Sequence, residues 1–278
     1  MLTMNAIVSF FIWLITHSFA MAMIPLFFAI SSTTVYLHRS ATHGAVEFTP
    51  GWLRFFKTWL CLTTGINPQE WVPLHRKHHR HTDTQGDPHI PLIFGFWPIQ
   101  LGNIFRYEEG IAQMTPEDWR IFGLNEPADP KWDWFFRDGK LGLAVGTFLM
   151  VIVCVLIWGK IGLLVGFTAA ATHAVLYIFV LTSSINGLCH YPHFGGYQHS
   201  KAAHAITTFN NWIVALLTGG EGFHWSHHLH QATARFADKL WELPADWGYW
   251  FWIKGIELLG GCQIHNRDPK LKHRTVHD

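Results

Sequence analysis

Charge is scarce in this chain. Of its 278 residues only 14% are Asp, Glu, Lys or Arg, and they nearly cancel, to a formal net charge of +1. A protein that grips nucleic acid needs a basic surplus or a concentrated basic stripe, so nucleic acid is excluded as a partner. Cysteine is sparse as well: Cys61, Cys154, Cys189 and Cys262 lie far apart, form no C-x-x-C pair, and mostly sit in or beside apolar segments. That spacing excludes a zinc knuckle and a disulfide framework, and leaves small buried hydrophobes in a reducing compartment. There is no low-complexity tract and no repeat beyond one short histidine pattern.

Apolar residues fill the space instead. They make up 49% of the chain, with 15 Trp and 22 Phe, a balance typical of bilayer proteins. Residues 141–158 (LGLAVGTFLMVIVCVLIW) carry no charge and, at about 1.5 Å per residue, are just long enough for a hydrocarbon core of about 30 Å. Gly159 and Lys160 make a turn, and 161–185 continues uncharged, so the pair predicts a transmembrane hairpin. Residues 1–37 are also uncharged. We expect two short spans there, turning near Thr16-His17-Ser18. Ala20-Met21-Ala22 resembles a cleavage site, but without a basic leader and with the apolar run continuing past it a retained segment is expected. Residues 53–62 are too short to span and contain Arg54 and Lys57, which suits a helix at the interface, as does 206–218.

Basic residues set the orientation. The hairpin has only Lys160 in its turn, whereas Arg39, Arg54, Arg76, Lys77, Arg80, Arg106, Arg120, Lys131, Arg137 and Lys140 precede it and Lys201, Arg235, Lys239 and Lys254 follow. The positive-inside rule makes both flanks cytoplasmic. Thr115-Pro116-Glu117-Asp118 is a helix start, with Thr as N-cap, so this flank is structured. The expected fold is one all-α membrane domain over 1–278. In it 1–37 and 141–185 are transmembrane, about four helices in all, and 38–140 and 186–278 form mainly a cytosolic helical cap.

The excess is in histidine, 20 of them. HRKHHRH (75–81) and HWSHHLH (224–230) share H-x-x-H-H-x-H. On a helix His75, His78 and His79 project within an arc of about 100°, and so do His224, His227 and His228, whereas His81 and His230 point elsewhere. Each trio makes half of a metal site. His38 and His43, five apart at the end of the first apolar segment, would diverge by about 140° on an intact helix, so we expect the helix to end between them. Asn186 and His190 share a face at the end of the last span. All these groups lie at cytoplasmic helix ends. His17, His89, His193, His199, His204, His265, His273 and His277 are expected to be structural or surface residues, and mid-span His173 a hydrogen-bonded packing residue.

With H-x4-H, twice H-x-x-H-H, and N-x3-H on a late span, the chain resembles the integral-membrane fatty acid desaturases from about His38 to Ala234. WVPLHRKHHRHTDTQGDPHIP and GEGFHWSHHLHQATARF are most similar to the bacterial delta-9 type. The resemblance implies a four-span bundle under a cytosolic cap and two irons held by nine His. Carried over by motif these are His38, His43, His75, His78, His79, His190, His224, His227 and His228, with Asn186 acting through water. It also implies a cis double bond, at delta-9, made in a saturated acyl chain on CoA or lipid. Desaturating an unactivated methylene pair demands a redox metal, which acid/base residues and zinc cannot replace. Asp83, Asp87, Glu221 and Glu70 are candidates for orienting imidazoles. Where animal acyl-CoA desaturases carry Arg-Asp before the second box this chain has Pro73-Leu74, which weakens CoA as carrier, and Trp225-Ser226 replaces the usual Asn-first pair of the last box. No fused cytochrome or ferredoxin segment is visible, so the two electrons come from a separate ferredoxin, cytochrome b5 or similar reductase. Membrane lipid is the surrounding partner, and a bacterial inner membrane the expected location. A di-iron fatty acid or alkane hydroxylase would use the same ligands. A metal transporter would place them along a mid-membrane path, where only His173 lies.

Overall fold

The structure is a computed structural model that describes residues 4–87, 91–124, 132–191, 194–200 and 207–265. The first apolar segment is a single helix, α1 (Met4–Ser31), which continues without interruption as a π-helix (Ser32–Thr42). The expected turn at Thr16-His17-Ser18 does not exist. Nothing there breaks a helix: His17 turns its Nδ1 back to Trp13 O at 2.7 Å, and Pro25 sits inside the helix without ending it. The expected second N-terminal span is therefore absent.

Two helical stretches are long and apolar enough to cross a membrane, Met4–Thr42 and Gly139–His190, and only 17% of the most apolar window of each is buried within the protein. Side chains this apolar and this exposed belong against lipid. After a short strand β1 (Val46–Phe48) come α2 (Pro50–Thr64) and α3 (Pro68–His81). Helices α4 (Asn103–Ala112) and α5 (Pro116–Phe122) follow, the latter closed by the expected Thr115/Asp118 capping box. The second apolar stretch folds back on itself as α6 (Gly139–Trp158), a tight turn (Gly159–Ile161) and α7 (Gly162–Val175), which runs on through a π segment (Leu176–Thr182) to Asn186. Short helices α8 (Trp212–Thr218) and α9 (His224–Leu229) complete the functional layer, and β2 (Cys262–Ile264) pairs antiparallel with β1.

Three membrane-length rods result: α1, α6, and α7 with its extension. Trp13 meets Trp158 edge-on at 6.2 Å at one end. From there α1 climbs about 30 Å, one hydrocarbon thickness, to the level of Thr33, so His38 sits just beyond the bilayer core. Helix α2, at about 1.5 Å per residue, is too short to cross. Its C-terminal half packs across α6, and Phe28 of α1 stacks on Trp59 at 3.9 Å. Helix α8 leaves Ile213, Leu216 and Leu217 exposed, as an interfacial helix would. Mid-span His173 packs as expected, its Nε2–H donating to Thr63 O at 2.6 Å.

The α2–α6 contact depends on glycine. A Cβ at Gly142 would lie 2.2 Å from Cys61 Sγ and 2.6 Å from Cys61 O, so only hydrogen lets the backbones approach. Gly142→Val should destabilise the protein by about 1–3 kcal/mol or more through overpacking. Thermal unfolding in detergent checks this, and an unchanged midpoint would contradict the packing described.

Candidate metal centre

Nine imidazoles converge at the membrane-surface end of the rods. His38, His43, His75, His79 and His227 form one cluster and His78, His190, His224 and His228 a second, the donor atoms of each lying within 4.8 Å of one another. His81 and His230 belong to neither. His199 instead meets buried Glu242 at 2.8 Å, and His265 pairs with Glu47 at 3.3 Å on the surface. His89, His193, His204, His273 and His277 lie outside the described residues.

Local winding explains the first box, and differs from what the spacing predicts. The helix ends at Thr42, between His38 and His43 as expected, but it does not keep its ordinary pitch up to that point. It widens to π geometry, with Thr42 Oγ1 donating to Leu37 O at 2.8 Å and His43 N–H to His38 O at 3.2 Å. Bonds reaching back five residues stack positions five apart, and the two rings come to 4.9 Å. Helix α3 starts at an Asn67 cap that accepts from Gln69 N–H, with Pro68 in its first turn. Arg76 ties this helix to the α1 end by donating to Ala41 O and Thr42 O at 2.9 and 3.0 Å. Helix α9 is anchored by Asn210, which accepts from Ser226 N–H and donates to Ser226 Oγ.

The two H-x-x-H-H boxes do not each serve one half of a site. Helix α3 gives its outer pair, His75 and His79, to the first cluster and His78 to the second, while α9 gives His224 and His228 to the second and His227 to the first. Each helix thus contributes two rings at i, i+4 to one cluster and the intervening ring to the other.

Carboxylates fix the tautomers of three rings. Nδ1–H of His38 donates to Glu221 at 2.5 Å, that of His78 to Asp87 at 2.8 Å and that of His190 to Asp83 at 3.3 Å. Ionised carboxylates only accept, so the Nε2 lone pairs of these rings point inward. Three of the four expected orienting acids are therefore in place. Glu70 is not among them: it sits in the first turn of α3, where negative charge suits the helix dipole. Thr82, whose Oγ1 lies 3.3 Å from His228 Nδ1, was missed in the sequence, as was Arg39. Fully buried, Arg39 bonds Asp246 at 2.7 Å, Glu221 at 3.5 Å and the carbonyls of Thr34, Gly219 and Ala234, with its guanidinium 3.7 Å from the Phe236 ring centroid. A Cβ on Gly220 would strike Asp246 Oδ1 at 2.3 Å, so this turn also requires glycine.

The donor geometry fits a cation. In the first cluster Nε2 atoms form a closed ring, His38 to His75 to His79 to His227 and back, with sides of 3.0, 3.0, 3.1 and 3.0 Å. Donors at the corners of such a square sit about 2.1 Å from its centre, the usual imidazole–metal distance. His43 adds a fifth donor, its Nε2 buried and without a hydrogen-bond partner among the described residues. In the second cluster His224 Nε2 is 2.8 Å from that of His190 and 3.1 Å from that of His228.

Burial, and then repulsion between neighbouring rings, hold the pKa values of His43, His75, His79, His224, His227 and His228 well below the ordinary imidazole range. They are neutral donors at physiological pH. Burial would raise Glu221, yet His38 and Arg39 hold it below the usual carboxylate value. Beside the clusters lies a mainly apolar cavity of about 150 Å³ reached by His38, His75 and His224 and walled by Trp71, Tyr107 and Tyr177. Asn186 also faces it, donating to Asn103 Oδ1 at 3.0 Å.

Fold and site together define a membrane protein with two histidine clusters able to hold metal beside an apolar cavity. The fatty acid desaturase family matches residues 12–245, and the chain belongs to it. Over 231 residues it is 31% identical to a probable chloroplastic lipid desaturase of Arabidopsis thaliana, covering 82% of this chain and 57% of that one. It is 29% identical over 232 residues to an sn-1 stearoyl-lipid 9-desaturase of Anabaena variabilis, 82% of this chain and 75% of the relative. To an acyl-CoA C20 delta-5 desaturase of Anemone leveillei it is 28% identical over 262 residues, 88% and 74% of the two chains. The protein is accordingly an oxidoreductase that desaturates acyl chains on CoA or lipid.

Two outcomes follow from the geometry. His227→Ala, which opens the square of the first cluster, should lower bound iron by about half or more, whereas His81→Ala should leave it unchanged, as read by metal analysis of purified protein. Equal losses in both would contradict the division of the heptapeptides. The six rings with depressed pKa values stay neutral in the folded chain but take up protons in the unfolded chain below about pH 6.5. The metal-free protein should therefore be more stable above that pH and lose stability as pH falls through it. Denaturation at about pH 8 and about pH 5.5 measures the difference, and a flat profile would count against the neutral cluster.

Proposed function

We propose that this desaturase binds two irons, one in each cluster, and introduces a cis delta-9 double bond into a saturated acyl chain esterified to membrane lipid. The observation that carries the reading is the convergence of nine imidazoles in two adjoining clusters, beside a cavity reached by His38, His75 and His224. His38, His43, His75, His79 and His227 would hold one iron. His78, His190, His224 and His228 would hold the other, with Asn186 reaching it through water. When bound, the iron pair would supply the redox chemistry that removes two hydrogens from adjacent methylenes, with O2, two electrons and two protons consumed and two waters released.

The chain's own residues supply position. Trp71 stacks on His75 at 4.4 Å and faces the cavity, so an acyl chain in the cavity lies against the ring that holds the metal. Glu221, Asp83 and Asp87 lock three imidazoles in the donor tautomer. Hydrogen bonds of this kind raise ligand basicity and keep the ring from rotating as the metal changes charge. Lipid is favoured as carrier by Pro73 and Leu74, both buried in α3 and unable to grip a charged carrier. The lipid 9-desaturase relative supports the same reading. Electrons come from a separate ferredoxin, cytochrome b5 or similar reductase docking on the face that bears the clusters. The charge bias of the loops makes that face cytoplasmic, with a bacterial inner membrane as the setting.

Expression in a bacterium with a compatible reductase, followed by analysis of phospholipid fatty acids, tests this. New cis delta-9 monounsaturated chains should accumulate with the wild type and fall about 100-fold or more with His227→Ala. An unchanged profile from iron-loaded wild-type protein would remove the proposal.

A further inference from the structure

Residues 91–105 (PLIFGFWPIQLGNIF) carry no charge, and yet most of them stay outside the core. They form the short helices Pro91–Phe94 and Phe96–Gln100 and the first turn of α4. Leu92, Ile93, Trp97, Leu101, Ile104 and Phe105 are left exposed, Trp97 to 65% and Phe105 to 68%. So much bare apolar surface on one short segment marks a contact with a protein or a membrane. Depth decides between the two. About 30 Å along α7, counted from Gly162 at about 1.5 Å per residue, ends near Thr182. At that level Gln100 Nε2–H donates to Phe179 O at 3.0 Å and to Ser183 Oγ at 2.9 Å. The segment is therefore clamped to the rod where the hydrocarbon layer gives way to headgroups. Arg106, the first charge after it, has its guanidinium 4.5 Å from the Phe94 ring centroid, the posture of a side chain that covers apolar surface while its charge stays at the headgroups.

We propose that residues 91–105 dip into the leaflet on the metal side, and that a phospholipid acyl chain slides sideways from that leaflet into the metal-side cavity beside Ile104. The proposal rests on the acyl-lipid reading above. The cavity is walled on one side by Asn103, Ile104 and Tyr107 of α4 and on the other by Ile178, Thr182 and Ile185 of the α7 rod, at the depth just derived. Of its lining residues Ile104 is the one that stands exposed, to 37%, so the cavity reaches the surface there, inside the apolar segment. A chain entering at this point exchanges lipid neighbours for Ile104 and Ile178 and is never drawn through water. The ester end stays among the headgroups, level with Arg106.

Two measurements on the iron-loaded full chain in phosphatidylcholine nanodiscs test this. In the first, Phe105→Cys carries a nitroxide, and wild type taken through the same labelling gives the background from native cysteines. The label should be relaxed more strongly by O2, which concentrates in the bilayer, than by a water-soluble nickel chelate. A label at Glu117→Cys, on the exposed face of α5, should show the reverse order. If position 105 behaves like position 117, the segment lies in water and the proposal is overturned. The second measurement uses phosphatidylcholine with a diazirine on its acyl chain and maps the crosslinks by mass spectrometry. Label should reach Trp71 or Leu74 on the inner wall of the cavity. Ile104→Trp, which crowds the mouth, should lower that label by about 10-fold and leave the label on lipid-facing Phe148 of α6 unchanged. Undiminished cavity label in Ile104→Trp overturns the portal, and so does cavity label that appears only when the diazirine chain is supplied on CoA. If Ile104→Trp loses its iron, Ile104→Phe carries the same comparison. Absence of any unsaturated product from wild type would instead remove the desaturase reading, and would leave both of these measurements as they stand.

Discussion

Imidazole nitrogens held about 3 Å apart with their lone pairs facing one another repel, and burial removes the water that would relieve them. Such a cluster persists only if its surroundings force it together or a cation occupies its centre. Packing supplies the first here, and the donor geometry fits the second. The rings come from chain segments nearly 190 residues apart, His38 and His227 among them, so no local preference can assemble them. Three carboxylates then dictate which nitrogen of their rings points inward, and neutral charge on the rest makes them donors and not repelling cations.

The supports of the cluster depend on a charge network sealed from water. Arg39 and Asp246 are both fully buried, and breaking such a pair by removing one partner leaves an uncompensated charge, at a cost of about 3–5 kcal/mol. Asp246 spends its remaining oxygen on the backbone N–H groups of Phe236 and Ala237 at 2.7 and 3.0 Å. One buried guanidinium therefore joins the end of α1, the turn bearing Glu221 and the segment after α9. It lies next to His38 in sequence, so the first box cannot shift without disturbing the carboxylate that orients it.

Placement relative to the bilayer follows from helix length. The uninterrupted α1 rod carries His38 out of the hydrocarbon layer on the same element that contacts lipid, and the α7 rod brings His190 to the same level. Both rods therefore bring their histidines to one end of the apolar stretches. The π segments on both rods, Ser32–Thr42 and Leu176–Thr182, lie where the rods meet the site. In the first, the wider turn is what aligns His38 with His43.

Much of this was legible in the sequence because it rests on residue type and short-range spacing. Uncharged runs located the hairpin, H-x-x-H-H fixed three rings on each of two helices, and the position of His81 and His230 off that face marked them as outsiders. Acids close to the boxes announced three of the orienting partners. What the sequence misled about were the outcomes decided by competition between conformations. An H-x4-H pair looks divergent if the helix is assumed to keep its ordinary pitch, and an uncharged run around a histidine gives no sign that the ring will bond its own helix and let it continue. By itself the sequence determined which groups are able to bind metal and that they gather at one membrane surface. Only the tertiary structure decided the exchange of rings between the two boxes, the burial of Arg39 and the Thr33–Tyr177 contact between the α1 and α7 rods. Each of these depends on how separate helices pack against one another, and packing is not encoded in the spacing along any one of them.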